Sequence, residues 1–165
     1  MIVDTFSQTN PAFAALSIRW LCEGYEEVTS NINGVTANQE NYISPLWAIV
    51  GVSLISPDAI RNQLPQSSNK RLRKLMQEND VWTASLIQGI QMWRTPFWLA
   101  VRYGVGKGII SVEHGRLRKM GRLKSPSDIF PREIRRKSKT LGKLFAQERD
   151  DSTLAILFGI RTINR

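Results

Sequence analysis

Apolar residues recur with the spacing of an α-helix over much of the chain, and proline follows a capping residue where several of these stretches begin. The first stretch starts at Asn10-Pro11, where asparagine can accept bonds from free backbone amides and proline loses none. Its apolar stripe consists of Phe13, Leu16, Trp20 and Leu21. These features predict a helix that ends near Gly24, and the asparagine-rich residues 29–41 predict a loop.

Five more helices are predicted before the chain reaches residue 105. Residues 44–55 are apolar nearly all round and begin with Ser-Pro, which favours a central helix, although their β-branched content leaves a strand open. A short helix follows Ser56-Pro57-Asp58 and must stop before Pro65. Further helices are predicted over KRLRKLMQEN, from Asn79-Asp80 to Trp93, and from a Thr95 cap through PFWLAVRY to Gly104.

A β-hairpin is predicted directly after these helices. A β-branched segment, Ile109–Val112, and a second short segment, Arg116–Met120, flank His114-Gly115, and glycine readily adopts the positive φ angle of a tight turn. A helix followed at once by such a hairpin is the ending of a winged-helix unit, in which the hairpin is the wing.

The remaining residues complete a mainly α fold, a helical domain with a winged-helix-like β-hairpin. Pro131 opens a basic helix, and Asp150-Asp151-Ser152 can cap a last helix that ends at Gly159. We expect a single domain over residues 1–165. Its parts would be a helical bundle (10–104), a wing hairpin (108–120) and C-terminal helices (131–159).

Charge is distributed unevenly along the chain, and this changes the functional picture. Residues 1–60 hold one basic and six acidic side chains, whereas residues 61–143 hold nineteen basic and five acidic ones, out of a net charge of +9. A positive field of this kind attracts polyanions or an acidic partner surface. No apolar run approaches the roughly 20 residues that span a bilayer, and no secretory leader precedes the first helix, so a cytoplasmic location is the default.

Ten basic residues on the wing, on the segment after it and on the next helix are candidates for contact with DNA phosphates. They are Arg116, Arg118, Lys119, Arg122, Lys124, Arg132, Arg135, Arg136, Lys137 and Lys139. A wing along a duplex can meet phosphates with such groups. A solvated face, or a patch that matches an acidic protein, fits the same charges, so these alternatives stay open.

The helix before the wing argues against the reading of base sequence. In a standard winged helix this element enters the major groove and should offer polar side chains to base edges, but here it carries Arg102 as its only charge. Three aromatic residues around it, Trp93, Phe97 and Trp98, belong either to the core or to a subunit interface, where tryptophan is enriched.

No catalytic residue, metal site or cofactor is predicted. His114 is the only histidine and lies at a hairpin tip, where neither a pocket nor a partner acid is expected. Cys22 is the only cysteine and lies in an apolar helix, which favours core packing. GVGKG at 104–108 lacks the first glycine and the hydroxyl residue of a phosphate-binding loop and follows a helix instead of a strand.

Several segments resemble the middle components of bacterial three-component ABC systems, to which Lamassu-type anti-phage systems are related. They are NPAFAAL (10–16), GYE (24–26), SPLWAIVGVSLI (44–55) with its downstream LP, the glycine-rich run into the hairpin, and KSKTLGKLFAQ with TLAILFGIR. The resemblance covers residues 10 to 161, and NPAF and LFGIR carry most of it.

This resemblance implies a non-catalytic adaptor that links an SMC-like or Rad50-like ABC ATPase to an effector subunit. It also implies that the basic region is placed to contact double-stranded DNA held by the ATPase. The family is not defined by catalytic residues, so the resemblance assigns none. The main alternative is a free-standing winged-helix regulator that binds one DNA sequence.

Overall fold

The first helix is longer than its sequence pattern predicts. The computed structural model describes residues 10–33 and 41–148, and α1 spans Pro11–Asn33. Asn10 caps it as expected, because its Oδ1 accepts a bond from the Ala12 amide at 2.9 Å. The predicted end at Gly24 is wrong, because the helix continues through this residue. The glycine serves packing, since the backbone of Lys139 lies so close to it that a side chain would not fit.

The second helix lies in the centre of the molecule. α2 spans Pro45–Ile55, and the Ser44 hydroxyl accepts a bond from the Trp47 amide at its start. Eight of its eleven residues are buried, which agrees with the apolar pattern on all sides. The Trp47 ring packs against the ring of Phe145, with 4.7 Å between the centroids.

Four more helices follow α2 in the predicted order. They are α3 (Asp58–Gln63), α4 (Leu72–Glu78), α5 (Asp80–Trp93) and α6 (Pro96–Gly106). Pro96 occupies the first position of α6 as expected, but the Thr95 side chain makes no capping bond. Asn79 does not cap α5 either, since its side-chain amide donates to the Leu75 carbonyl at the end of α4.

The predicted hairpin is present within one residue of its predicted bounds. Strands β1 (Ile110–Glu113) and β2 (Arg116–Lys119) pair antiparallel. The two residues between them, His114 and Gly115, both have positive φ, at 52° and 74°, as a type I′ turn requires. Ile43 exchanges two backbone hydrogen bonds with Leu117, which ties the hairpin to the segment before α2.

The last described helix, α7 (Ile129–Glu148), packs along α1. The described residues are therefore mainly α, as predicted, with the hairpin as their only sheet. The comparison of this hairpin with a wing stays a prediction, and the expected helix from Asp150 to Gly159 lies outside the described residues. None of the described helices is long and apolar enough to cross a membrane.

Candidate interaction surfaces

The arginines of the hairpin are engaged within the protein. Arg116 donates from Nη1 to the Tyr42 carbonyl oxygen at 3.2 Å. Arg118 donates to the Glu113 carboxylate at 3.2 Å, and its guanidinium lies 5.1 Å from the centre of the Tyr42 ring. Two of the predicted DNA contacts thus already serve the local structure.

A buried arginine on α1 fixes the end of the hairpin. Arg19 donates from Nε to the Met120 carbonyl at 3.3 Å and from Nη2 to the Gly121 carbonyl at 3.0 Å. Two turns further on, the Glu26 carboxylate accepts the Lys119 backbone amide at 3.0 Å. Burial raises the pKa of Glu26 above its ordinary value, although the Lys119 amide and nearby cations oppose that shift.

Two candidates in the segment after the hairpin, Arg122 and Lys124, have exposed side chains. Neither forms an ion pair with another described residue. They also lie outside the lining of the groove that gathers most of the other candidates.

This cationic groove runs along α7. Its volume is about 570 Å³, and we call it the α7 groove. Five basic side chains line it: Arg132, Arg135, Arg136, Lys139 and Lys143. Neutral residues complete the lining: Gln66, Ser125, Pro126 and Thr140.

Two carboxylates of α1 hold part of this basic row in place. Glu23 lies 3.1 Å from Lys139 Nζ and 3.3 Å from Arg135 Nη2. Glu27 lies 3.4 Å from Lys139 Nζ and 3.1 Å from Lys143 Nζ. These contacts connect the two longest helices of the described chain through charge as well as packing.

The same contacts keep the two carboxylates ionised. Partial burial alone would raise the pKa of Glu23, but Lys139, then Arg135 and Arg19, outweigh it and lower that pKa below its ordinary value. For Glu27, likewise, Lys143 and Lys139 outweigh partial burial and lower the pKa. Both residues therefore carry full negative charge at neutral pH.

Lys137 cannot act as a DNA contact in this conformation, although it belongs to the same basic run. It is 2% exposed, and its ammonium donates to the Leu64 carbonyl. Burial, and secondarily the charge of Arg136, lowers the pKa of Lys137. Its position on the inner side of α7 separates it from its basic neighbours.

The helix before the hairpin has an exposed apolar surface, here called the α6 surface. Trp98 and Leu99 are each 51% exposed and Tyr103 is 41% exposed. Positions three and four apart on a helix are neighbours, so Leu99 lies beside Tyr103, and Arg102 lies beside both Trp98 and Leu99. The other two interface candidates, Trp93 and Phe97, are at most 1% exposed and belong to the core.

The histidine and the cysteine that the sequence analysis weighed as catalytic residues lie in the hairpin turn and in the core. His114 is exposed in the turn of the hairpin. Cys22 is fully buried, and burial raises the pKa of its thiol far above the ordinary value, which disfavours the reactive thiolate. Among the described residues, no three histidine, cysteine or acidic side chains are placed to hold a metal ion.

Some residues of these surfaces were missed by the sequence analysis. Lys143 follows Arg132, Arg136 and Lys139 at helical spacing, so the periodicity that identified its neighbours could have identified it too. Ser125 and Gln66 come from other segments, and no local pattern marks them as neighbours of α7.

Comparison with known proteins gives one family. A family model described as ABC-three component (ABC-3C) system Middle Component 3 matches residues 5–162 of the chain. No curated protein and no solved structure shows a match.

Proposed function

The chain belongs to the family of middle components of ABC-three component systems, and on this basis we propose that it is a non-catalytic adaptor in an anti-phage defence complex. The adaptor binds an SMC-like or Rad50-like ABC ATPase and links it to an effector subunit in the cytoplasm. The observation that carries this proposal is the α6 surface, where a tryptophan, a leucine and a tyrosine face solvent.

An exposed apolar surface on a helix is costly in an isolated protein and useful in a subunit. Large aromatic side chains dominate the binding energy of protein interfaces when a partner excludes water from them. Trp98 is also prepared for this role, because its ring stands edge-to-face against the buried Phe97, with 5.2 Å between the centroids. A side chain fixed in this way loses little conformational entropy when a partner binds it.

The same surface disfavours the alternative, a free-standing winged-helix regulator. A helix that reads base edges needs arginine, asparagine, glutamine or lysine on its outer side. On the outer side of α6, Arg102 stands among Trp98, Leu99 and Tyr103. These apolar groups match a protein surface better than the edges of base pairs.

Co-expression of the chain with the products of its neighbouring genes, among which we expect the ATPase and the effector, tests the proposal. We expect all subunits to co-purify, and we expect Trp98→Ala to weaken the complex about thirtyfold, as loss of a roughly 2 kcal/mol hot spot would. Ile129→Ser is the control, since Ile129 is an exposed apolar residue on a different helix.

The outcome is decided by affinity and by stability together. Both variants should melt within a few degrees of the wild type, so that a loss of binding reports on the surface and not on folding. Recovery of the chain as a lone monomer would reject the adaptor role. Tight binding to one short duplex over random DNA would instead favour the regulator.

A further inference from the structure

The α7 groove presents its charges in a row along one side of a helix. Arg132, Arg136, Lys139 and Lys143 are spaced by four, three and four positions. At a rise of 1.5 Å per residue the row is about 16 Å long. Phosphates of one DNA strand recur about every 3.4 Å along the duplex axis, so a row of this length faces about five of them.

The groove keeps a surplus of positive charge after its internal ion pairs are counted. Five cations line it, and the carboxylates that contact them are Glu23 and Glu27, which leaves three charges in excess. Arg132 and Arg136 form no ion pair with a described residue. Towards the described residues Arg132 uses only its Nε, which donates to the Pro126 carbonyl at 2.9 Å, so its terminal nitrogens can meet another acceptor.

The carboxylates prepare the remaining cations for an anion. Lys139 and Lys143 are long side chains that would otherwise lose conformational entropy on binding, and ion pairs with α1 hold them beside the groove. Arg135 is fixed on two sides, by Glu23 and by the Ser125 hydroxyl, to which it donates at 2.8 Å. Hydroxyl groups such as those of Ser125 and Thr140 are also common phosphate donors.

The neutral part of the lining indicates which class of polyanion fits. Gln66, Pro126, Ser125 and Thr140 include no aromatic ring. Nucleotides and single-stranded nucleic acids are normally bound by stacking of their bases on aromatic side chains. A duplex keeps its bases inside and needs only contacts to its backbone, which is what this lining provides.

From these observations we infer that the α7 groove binds the phosphate backbone of double-stranded DNA, and that the hairpin does not. The site does not depend on the adaptor role, because it lies on α7 and not on the α6 surface. The groove keeps three cationic charges in excess of its carboxylates, whereas on the hairpin Arg118 is paired with Glu113 and Arg116 donates to the Tyr42 carbonyl.

Fluorescence anisotropy of the full-length chain with a labelled random-sequence duplex of about two helical turns tests this inference. The affinity is measured between about 50 and 200 mM salt, because each phosphate contact adds about 0.9 to the slope of log K against log salt. For Arg132→Gln with Arg136→Gln we expect the slope to fall by about 1.8, so that the salt-induced loss of affinity is about twelvefold smaller than in the wild type.

A hairpin variant with the same change of charge is the matched control. Arg116→Gln with Arg118→Gln should keep the wild-type slope of log K against log salt. Arg132→Lys with Arg136→Lys keeps the two positive charges in the groove, so this variant should also show the wild-type slope. Melting curves of all variants identify any that fail to fold; should the glutamine double variant fail, Arg136→Gln alone is measured, with an expected fall of about 0.9.

The remaining outcomes would overturn the inference. They are a loss of slope in the hairpin variant alone, an unchanged slope in the groove variant, and no binding at about 50 mM salt. Equal or tighter binding of single-stranded DNA would assign a different nucleic acid. Displacement of the duplex by poly-glutamate at equal charge would assign an acidic protein surface, and displacement by millimolar inorganic phosphate would assign a small anion.

Discussion

Gly142 offers the sharpest test of the packing that supports both surfaces. It lies where α7 crosses α1, and a methyl group added to it would fall on the Leu21 carbonyl oxygen and come within 2.9 Å of the Tyr25 amide nitrogen. Gly24 has the reciprocal position on α1, against the backbone of Lys139. Since the obstructing atoms are helix backbone and not the ends of flexible side chains, Gly142→Ala can be accommodated only if the two helices move apart.

Two opposing contributions set the size of the effect. Alanine in place of glycine within a helix gains about 1 kcal/mol. Overpacking of a tight core costs about 1 to 3 kcal/mol, and the rigid neighbours here place the cost at or above the upper end of this range. We therefore expect Gly142→Ala to lower the free energy of unfolding by about 2 kcal/mol, which is a fall in Tm of about 4 to 8 °C for a chain of this size.

Gly106→Ala is the matched control, because the same substitution at the end of α6 meets no described atom within 4 Å. It should leave Tm unchanged or raise it by a few degrees. Thermal denaturation followed by circular dichroism, with urea denaturation as a second measure, compares the two variants. If Gly142→Ala proved as stable as the wild type, the close crossing of α1 and α7 would be refuted.

Two further variants probe buried charges. Arg19→Met removes the donors that hold the Met120 and Gly121 carbonyls, so it should lower the free energy of unfolding by about 2 kcal/mol, as urea denaturation can show. Lys137→Met tests the lowered pKa of a buried lysine: the folded wild type releases this proton at lower pH than the unfolded chain, so unfolding binds protons and stability rises with pH. Thermal melts of both proteins from about pH 7 to about pH 10 should therefore show the stability of the wild type rising relative to that of Lys137→Met as the pH approaches the ordinary lysine pKa. At lower pH the difference in stability should be constant. A difference in stability that stays the same over the whole range would contradict the assignment.

The sequence predicts where helices begin better than where they end. Pro11, Pro45 and Pro96 each stand at the first position of a helix, where proline is favoured. Pro131, which was expected to open α7, is instead its third residue, since the helix begins at Ile129. Gly24 and Gly104 were expected to end helices, yet both lie within them. Each is a site of close contact, Gly24 with α7 and Gly104 with the Ile110 side chain, and such contacts join residues that are distant in the sequence or belong to another element.

The basic residues show a similar division. Their positions along α7 are evident from the sequence, and so is the side of the helix that most of them share. Which of them are free to bind an anion depends on Glu23 and Glu27, which contact them across more than 100 positions. Lys137 also looks like its neighbours in the sequence and is distinguished only by the packing of α7 against the residues around Leu64.

The α6 surface and the α7 groove share one support, and this bears on how the chain can work as a subunit. α1 packs against both α6 and α7, and it also carries the carboxylates that order the groove and the arginine that fixes the hairpin. A partner that binds α6 and a polyanion that binds α7 are therefore held by one continuous body of packed helices. Because such a body resists deformation, the position of one ligand sets the position of the other. The proposed adaptor role would use this property, and the groups it would employ, Trp98 and Tyr103 on α6 and the cations of the α7 groove, are accessible at the surface.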